Sequence, residues 1–212
     1  EKFIHIKTRY GAPKPKVAII VATIRALKWH GGANLKELTS KNMGILKKGI
    51  SNLQHAINIV HLFGIPSIVA INKFPEDNQE EINFVRQIAE KSGSTAIESL
   101  AFTHGGDGSR ELASLILEKI KTPSQVSYLY ELEDSIESKI NTIATKIYGA
   151  RNIELSNEAQ ETIKNINSFG WNNLPICMAK THLSISANPK LLGRPIDFGF
   201  PISEIRISKG AG

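Results

Sequence analysis

The sequence predicts an α/β protein whose strands pair in parallel, and two alternating patterns carry this prediction. Short apolar runs without charge, typical of buried strands, alternate with longer segments in which apolar residues recur every three or four positions, typical of helices. Strands separated by helices of this length form parallel βαβ units with right-handed crossovers. We therefore expect helices layered on a mostly parallel sheet, in two or three subdomains.

The first part of the chain contains three predicted strand and helix units. The predicted strands are residues 17–23, 67–72 and 94–102, and the predicted helices are residues 42–63, 76–93 and 105–120. The helix over 76–93 has acidic residues in its first turn, which suit the helix dipole, and Gly93 at the position of a C-cap. Residues 24–34 are predicted as the loop that follows the first strand.

The second part repeats the alternation of helices and strands. A helix over 128–148 is predicted to end at Gly149, and a helix over 156–170 to begin with Ser156 as its N-cap. Residues 174–181 are predicted as a strand and residues 203–208 as an edge strand. Glycines at the junctions suggest domain boundaries near Gly64 and Gly149, which give the ranges 1–63, 64–149 and 150–212.

Composition narrows the class of partner. Lys and Arg total 26 against 20 Asp and Glu, a net charge of +6, which favours anionic partners such as nucleotides or polycarboxylates. A nucleic-acid site usually needs a clustered basic stripe, whereas these basic residues are scattered, so nucleic acid is not an expected partner.

Metal and redox chemistry find little support in the sequence. The six histidines show no metal-ligand spacing, and the single Cys177 lies in an apolar run where a thiol usually acts as a small hydrophobe. We therefore expect no metal site and no intrachain disulfide. The absence of a signal peptide and of a long apolar run predicts a cytoplasmic protein without a membrane span.

Four loops are the candidate binding regions. In parallel α/β sheets, ligands collect at the carboxyl ends of the strands, where loops meet helix N-termini. This rule selects four loops that are rich in glycine, proline, aromatic or basic residues: 24–34, 72–78, 102–109 and 181–194.

Two of these loops carry aromatic residues. The segment VAINKFPED ends a strand with Phe74 and Pro75, which could form a wall for a flat ligand. It lacks the acid of the guanine-reading Asn-Lys-x-Asp loop, and no phosphate loop is present, so the sequence does not predict a GTPase. The segment LAFTHGGDG adds Phe102 and the flexible Gly105 and Gly106, so the two aromatics could flank one pocket for a heteroaromatic ring such as a pterin.

The first loop contains the densest basic chemistry. In VATIRALKWHGG, Arg25 is the best candidate for an anion contact or a buried ion pair, and Lys28 is the second. Trp29 is interpreted as a packing residue, and the two glycines as a close backbone turn.

With these segments assembled, the chain resembles the formate–tetrahydrofolate ligase family. VATIRALKWHGG fits the family signature V-A-T-[IV]-R-A-L-K-x-[HN]-G-G at every fixed position. VAINKF, TIATKIYGA, NLPICMAKT and NPKLLG then follow the family in order across residues 1–212. The resemblance implies P-loop-NTPase and Rossmann-like layers, and a reaction that joins formate to tetrahydrofolate with ATP. The products would be 10-formyltetrahydrofolate, ADP and phosphate, with formyl phosphate as the intermediate.

The resemblance also implies roles for individual residues. Phe74, Pro75, Phe102, Gly105 and Gly106 would bind the folate, although Phe102 stands where the family has tryptophan. His104 stands where the family usually has another basic residue, so its charge would depend on pH. Nucleotide or anion contacts would come from a second set of residues: Arg25, Lys28, Lys180, Asn188 and Pro189.

The same resemblance implies that this chain is a middle-to-late segment of a longer enzyme. The family's phosphate loop, with its catalytic lysine, belongs to an N-terminal half, so no catalytic residue is expected in this segment and the segment alone should be inactive. ATP with Mg²⁺ would be a substrate, a monovalent cation is implied by the family, and no tightly bound cofactor is expected. The partners implied are tetrahydrofolate, formate, the N-terminal half and further copies in a tetramer; the alternative is a non-catalytic folate- or nucleotide-binding module derived from the family.

Overall fold

The computed structural model describes residues 1–208 and places them in two compact units. The sheet unit comprises residues 15–127 and 192–194, and the terminal unit comprises residues 1–14, 128–191 and the chain from Pro195 onward. Neither Gly64 nor Gly149 separates these two units, since the first lies inside the sheet unit and the second inside the terminal unit. The division into the three ranges 1–63, 64–149 and 150–212 stays a prediction.

The sheet unit alternates strands and helices around a three-stranded parallel sheet. Its strands are β1 (Ala18–Ala22), β2 (Ser67–Asn72) and β3 (Thr95–Ser99), and its helices are α1 (Ile24–His30), α2 (Met43–Leu62), α3 (Gln79–Lys91), α4 (Ala101–His104) and α5 (Arg110–Lys119). The strand order is β1-β2-β3, and the register pairs Ala18 with Ser67 and Ile68 with Thr95. The predicted α/β class with parallel strands is confirmed.

The hydrophobic core of this unit lies between the sheet and its two long helices. Val69 and Ile71 of the central strand are completely buried in this core, as are Leu46 of α2 and Val85 of α3. Each such side chain contributes about 1.5–3 kcal/mol by leaving water. This core fixes the positions at which the three strands end.

Two glycines let α1 lie directly against α2. A Cβ on Gly31 would lie 2.1 Å from the carbonyl oxygen of Ile45, and one on Gly49 would lie 1.8 Å from that of Leu27. Any side chain at either position would therefore separate the helices. Gly32 adopts φ +91°, a conformation that L residues rarely take, so it provides the tight turn expected of the second glycine.

The terminal unit contains a second, smaller parallel pair. Its elements are a π-helical turn (Phe3–Thr8), α6 (Ile136–Thr142) with a π-helical extension (Ile143–Ile147), β4 (Asn152–Leu155), α7 (Asn157–Ser168) and β5 (Gly199–Ile202). Strand β4 pairs with β5 in parallel, with Ile153 opposite Phe200. Ile163 and Ile166 of α7 pack with Ile136 and Ile140 of α6 beside this pair.

A buried lysine ties two loops to α6. The Nζ of Lys139 donates to the carbonyl oxygens of Leu132, Asn172 and Leu174 at 2.9, 2.5 and 2.9 Å. The residue is completely buried, and burial lowers the pKa of its ammonium group. Three carbonyl acceptors take the place of the water that this group gives up.

The first correction to the sequence prediction concerns residues 24–34, which do not form a loop throughout. Thr23 is an N-cap whose Oγ1 accepts from the backbone N of Ala26 at 3.1 Å, and α1 begins at Ile24. The third predicted strand, 94–102, was also wrong at its end: β3 stops at Ser99, and Phe102 lies on the short helix α4.

Three further predictions in the second part were wrong. Residues 128–135 are not helical because α6 begins only after Ser135, whose hydroxyl accepts from the backbone N of Ser138. Residues 174–181 do not form a strand, since the backbone N of Ile176 donates to the hydroxyl of Tyr130 and that of Met178 to the carboxylate of Glu1. Residues 203–208 are irregular, and the strand lies just before them as β5.

No helix within residues 1–208 is both long enough and apolar enough to cross a lipid bilayer.

Candidate functional site

The candidate site lies at the edge of the sheet unit where three parallel strands end. Strand β1 leads into α1 and Arg25, β2 leads into Phe74, and β3 leads into Phe102. Because the strands are neighbours in the order β1-β2-β3, these three side chains approach one another. This is the edge at which α/β folds bind ligands.

Phe74 and Phe102 form an aromatic pair at this edge. Their ring centroids are 4.8 Å apart with an angle of 57° between the planes, a tilted contact. Phe102 is 65% exposed, whereas Phe74 is half-buried. The two rings therefore lie side by side, and their predicted role as the two walls of one ligand pocket stays a prediction.

Phe74 begins a tight turn that fixes its backbone. The backbone N of Asp77 donates to the carbonyl oxygen of Phe74 at 3.0 Å, and the backbone N of Phe74 donates to Oδ2 of Asp77 at 2.9 Å. Pro75 occupies the second position of the turn, where its fixed φ is favourable, and it is exposed. The turn holds one ring of the pair in a defined place.

Arg25 covers the ring of Phe74. Its guanidinium carbon lies 4.4 Å from the ring centroid, within the distance of a cation–π contact. The same guanidinium donates to Oε2 of Glu76 at 2.6 Å. Arg25 therefore belongs to the aromatic site, and its predicted role with nucleotides or other anions stays a prediction.

The glycines after Phe102 differ in what they require. Gly105 has φ +55°, which strongly favours glycine, and a Cβ on Gly108 would lie 2.4 Å from the carbonyl oxygen of Leu100. Gly106 has an ordinary helical φ of −60°, and nothing lies within 4 Å of where its Cβ would be. The backbone conformation explains the glycine at position 105 and the close carbonyl explains the one at position 108, whereas a side chain would have room at position 106.

A polar network borders the aromatic pair. Glu98 of β3 accepts from Lys73 at 3.1 Å, from Gln79 at 2.9 Å and from Arg86 at 2.6 Å. Burial raises the pKa of Glu98, but the hydrogen bonds from Gln79 and Lys73 and the charges of Lys73 and Arg86 outweigh burial and hold the pKa below its ordinary value. The carboxylate therefore stays ionised and keeps Lys73, the residue before Phe74, in place.

Two surface cavities lie near this region without including the aromatic pair. One of about 310 Å³ is bordered by residues of α3, β3 and the glycine segment: Arg86, Ile97, Glu98, Leu100, Asp107, Gly108 and Glu111. The other, of about 490 Å³, lies between α2 and α3 beside Met43 and Phe84. The two phenylalanine rings themselves are in contact, with their centroids 4.8 Å apart.

Of the two settings expected for the basic residues of this segment, an anion contact or a buried ion pair, Lys28 is found in the buried ion pair. Its Nζ is 2.8 Å from Oε2 of Glu81 and 2.8 Å from the carbonyl oxygen of Ser40, and both charged side chains are only 1% exposed. The other oxygen of Glu81 accepts from the backbone N of Asn42 at 2.7 Å. A contact between Lys28 and a nucleotide would require this buried pair to break, so we assign Lys28 a structural role.

His30 anchors the short segment 192–194. The backbone N of Gly193 donates to Nδ1 of His30 at 3.3 Å, and the amide of Asn52 donates to the carbonyl oxygen of Gly193 at 3.1 Å. Burial lowers the pKa of His30, which favours the neutral ring that this hydrogen bond needs. The histidine of the VATIRALKWHGG segment therefore has a structural explanation.

The remaining predicted nucleotide residues belong to the terminal unit. The ammonium of Lys180 donates to the carbonyl oxygens of Thr181 and Ser184 and lies 5.2 Å from the ring centroid of Tyr148. Asn188 and Pro189 are exposed, and Oδ1 of Asn188 accepts from the backbone N of Lys190 at 3.0 Å. Lys180 is thus engaged within its own loop, and only Asn188 and Pro189 face solvent.

Within residues 1–208, no three or more His, Cys, Asp or Glu side chains are arranged to hold a metal ion.

Comparison with known proteins decides the family. The sequence model of a family described as formate–tetrahydrofolate ligase matches residues 1–212. The chain belongs to the formate–tetrahydrofolate ligase family.

Two curated relatives carry the same name. The formate–tetrahydrofolate ligase of Herpetosiphon aurantiacus is 47% identical over 221 aligned residues, which cover 100% of this chain and 39% of the relative. That of Symbiobacterium thermophilum is 40% identical over 213 residues, covering 100% of this chain and 38% of the relative. The chain spans about two fifths of the length of these relatives.

Sequence reasoning missed the residues that hold the aromatic wall. Glu76 and Asp77, which bind Arg25 and the backbone of Phe74, were assigned to the first turn of the helix predicted over 76–93, whereas α3 begins only at Gln79. Their signal was local: both acids follow the strand-ending Phe74 and Pro75 directly, within side-chain reach of that turn. Glu98 left no such signal, because its partners come from separate elements.

Proposed function

We propose that this chain forms the tetrahydrofolate-binding part of a formate–tetrahydrofolate ligase, and that Phe74 and Phe102 take the pterin ring between them. The observation that carries the proposal is the contact of two phenylalanines from neighbouring strand ends, one of them 65% exposed. Aromatic side chains bind flat heteroaromatic rings by stacking, and each such stack contributes about 1–3 kcal/mol. The membership of the family supplies the identity of the ring.

Binding requires the two phenylalanine rings to separate. Two rings that sandwich a third lie about 7 Å apart, because each face contact takes about 3.5 Å, whereas these centroids are 4.8 Å apart. Phe74 is held by its turn and by Arg25. Phe102 lies on a four-residue helix that has no side-chain N-cap and that ends at Gly105. Because this helix is held more weakly than the turn of Phe74, we take Phe102 to be the ring that moves.

The proposed reaction needs an amine of tetrahydrofolate beside an activated formyl group. Formate and ATP give formyl phosphate and ADP, the folate amine attacks the formyl carbon, phosphate leaves, and the amine loses its proton. Holding the pterin against Phe74 and Phe102 places that amine, which converts an encounter of two molecules into a step within one complex. We assign no residue of this chain to the bond-making step, so the segment alone is expected to be inactive.

The nucleotide contact of this part is proposed to be limited to Asn188 and Pro189. Both residues are exposed, and the ring of Pro189 could lie against a flat base. Lys180 has its ammonium on two backbone carbonyls, and Lys28 is buried with Glu81, so neither is offered to phosphate. ATP with Mg²⁺ as a substrate, and a monovalent cation, would be held by other parts of the enzyme.

The remaining parts of the proposed enzyme include a partner for β1. This strand lies at the edge of its sheet, and Ile19 and Val21 on it are 44% and 67% exposed. Parallel sheets are ordinarily covered on both faces, so we propose that an N-terminal half of the enzyme covers these side chains. A cytoplasmic homotetramer is the proposed setting, on the strength of the family resemblance.

A chimaeric enzyme tests the proposal. Residues 1–212 replace the matching segment of the Herpetosiphon aurantiacus relative, and formation of 10-formyltetrahydrofolate is measured with formate, ATP and tetrahydrofolate. The proposal expects activity in the chimaera and none in the isolated chain. A folded but inactive chimaera would contradict it and favour a non-catalytic binding module.

A further inference from the structure

Arg25 makes two contacts that converge on one turn. Its guanidinium carbon lies 4.4 Å from the centroid of the Phe74 ring, and its terminal nitrogen lies 2.6 Å from the carboxylate of Glu76. Phe74 and Glu76 are two residues apart in the turn that follows β2. Arg25 thus joins the first turn of α1 to the wall of the proposed pterin site.

The main effect of these contacts is to restrict the movement of the Phe74 ring, and they add little net charge to the site. The Glu76 carboxylate balances the guanidinium, so the pair presents little net charge to a ligand. The side chain of Arg25 is 33% exposed and that of Glu76 is 59% exposed, which leaves the pair at the surface where ion pairs add little stability. A planar guanidinium whose orientation is fixed by a carboxylate can nevertheless stack on an aromatic face and hold that ring in place.

Phe74 and Phe102 differ in how firmly they are held. The backbone of Phe74 is fixed by hydrogen bonds with Asp77 at 2.9 and 3.0 Å, and its ring is covered by Arg25. Phe102 lies on the four-residue helix α4, which has no side-chain N-cap, and its side chain is 65% exposed. One wall is therefore preorganised, and Arg25 is the side chain that completes it.

We propose that Arg25 is a positioning residue, which holds the Phe74 ring in the orientation that stacks on the pterin of tetrahydrofolate. This proposal rests on the proposed function of the aromatic pair. It replaces the expectation that Arg25 contacts a nucleotide or another anion.

Steady-state kinetics of the chimaeric enzyme provide the first test. Arg25→Met keeps the length of the stem but removes the guanidinium, and it should raise the KM for tetrahydrofolate about threefold to tenfold, the effect of losing one such contact. The KM for ATP and formate and the kcat should stay within about twofold, because the lost contact acts equally on the bound substrate and the transition state. The KM of Arg25→Lys for tetrahydrofolate should lie between those of the wild type and Arg25→Met, since lysine keeps the positive charge but lacks the planar guanidinium.

Two further variants separate positioning from folding. Glu76→Gln leaves Arg25 in place but weakens its anchor, so it should raise the same KM by a smaller factor than Arg25→Met. Lys41→Met is the matched control, because it removes an exposed ion pair, Lys41 with Glu80 at 2.5 Å, without touching the aromatic pair. Lys41→Met should leave all the kinetic constants unchanged.

A spectroscopic measurement works without any activity. With 4-fluorophenylalanine at position 74 of the full chain, the ¹⁹F resonance reports the surroundings of the ring. Arg25→Met and Glu76→Gln should shift or broaden this signal, and Lys41→Met should not. An unchanged signal in both site variants would overturn the proposal.

The kinetic outcomes distinguish a failure of the role proposed for Arg25 from a failure of the proposed function. An active chimaera in which Arg25→Met leaves the KM for tetrahydrofolate within about twofold would overturn the role of Arg25 and leave the proposed function standing. A rise in the KM for ATP instead would overturn it in favour of an anion contact. An inactive chimaera would refute the proposed function, and the ¹⁹F signal would still decide whether Arg25 positions the ring.

Discussion

Removing the ammonium of Lys28 should destabilise the sheet unit strongly, although the residue lies in the segment that first suggested a binding loop. In Lys28→Met the carboxylate of Glu81 keeps its place at 1% exposure and loses the group 2.8 Å away. Breaking a buried ion pair by removing one partner costs about 3–5 kcal/mol, because a buried charge is left uncompensated. The carbonyl oxygen of Ser40 also loses a donor at 2.8 Å.

A double variant separates the ion pair from simple loss of packing. Lys28→Met with Glu81→Gln removes both charges and keeps an amide oxygen for the backbone N of Asn42, now bound by Glu81 at 2.7 Å. We expect the double variant to recover at least about 2 kcal/mol relative to Lys28→Met alone, the coupling typical of contacting charged groups.

Urea unfolding followed by tryptophan fluorescence measures these free energies. The chain has two tryptophans, so a Trp171→Phe background leaves Trp29 as the reporter of the sheet unit. The exposed Lys41→Met variant serves as the control and should unfold like its parent. A cost for Lys28→Met below about 1 kcal/mol, the value of an exposed pair, would refute the structural role of Lys28.

Three other predictions follow from single sites. Gly106→Ala should leave the urea midpoint unchanged, since nothing lies within 4 Å of the added Cβ, whereas Gly108→Ala should lower the midpoint because its Cβ meets a carbonyl oxygen at 2.4 Å; similar midpoints would contradict this difference. Lys139→Met should cost roughly 2–4 kcal/mol in urea unfolding by leaving three carbonyl acceptors unpaired, and a neutral effect would contradict that role. Burial, and after it the charge of Arg9, lowers the pKa of His5 to about 4. The neutral His5 ring therefore makes its full contribution to the free energy of unfolding above about pH 6.5, and this contribution, roughly 3 kcal/mol, should be lost as the pH falls towards 4. His5→Phe should abolish this loss. The prediction would be contradicted if the free energy of unfolding changed equally with pH in the wild type and in His5→Phe.

The parallel sheet could be predicted from the sequence because each strand carries its own signal. Residues 68–71 form an uninterrupted apolar run between Ser67 and Asn72, and β2 occupies residues 67–72 with its first five residues buried. The central strand of a parallel sheet is covered on both faces, so local composition is sufficient to find it.

The errors arose where tertiary partners outweigh local pattern. The apolar run at 174–181 has the composition of a strand, but Tyr130 and Glu1 take the backbone N–H groups of Ile176 and Met178 that a strand would offer to a neighbour. Conversely, β5 contains Pro201, and proline argues against a strand in a sequence prediction. The structure accommodates it because β5 pairs with β4 on one side only, and proline is tolerated in edge strands. Neither outcome can be read from a window of eight residues.

The candidate site divides in the same way. Phe74 and Phe102 could be placed together from the rule that parallel strands end at one edge, and their rings are 4.8 Å apart. The partners of Arg25 and Lys28 could not be chosen from the sequence, because both are basic residues on one short helix. Position on α1 decides the difference: Lys28 faces α3 and is 1% exposed with Glu81, whereas Arg25 reaches the turn after β2.

Equilibrium titration of the chain with tetrahydrofolate tests the central claim most directly. We expect saturable binding that weakens about tenfold or more in Phe74→Ala and in Phe102→Ala, the loss of one aromatic stack. Phe169→Ala is the matched control, because Phe169 is 64% exposed against 65% for Phe102 and lies in the terminal unit; it should bind like wild type. Equal affinity in wild type and in both site variants would contradict the account.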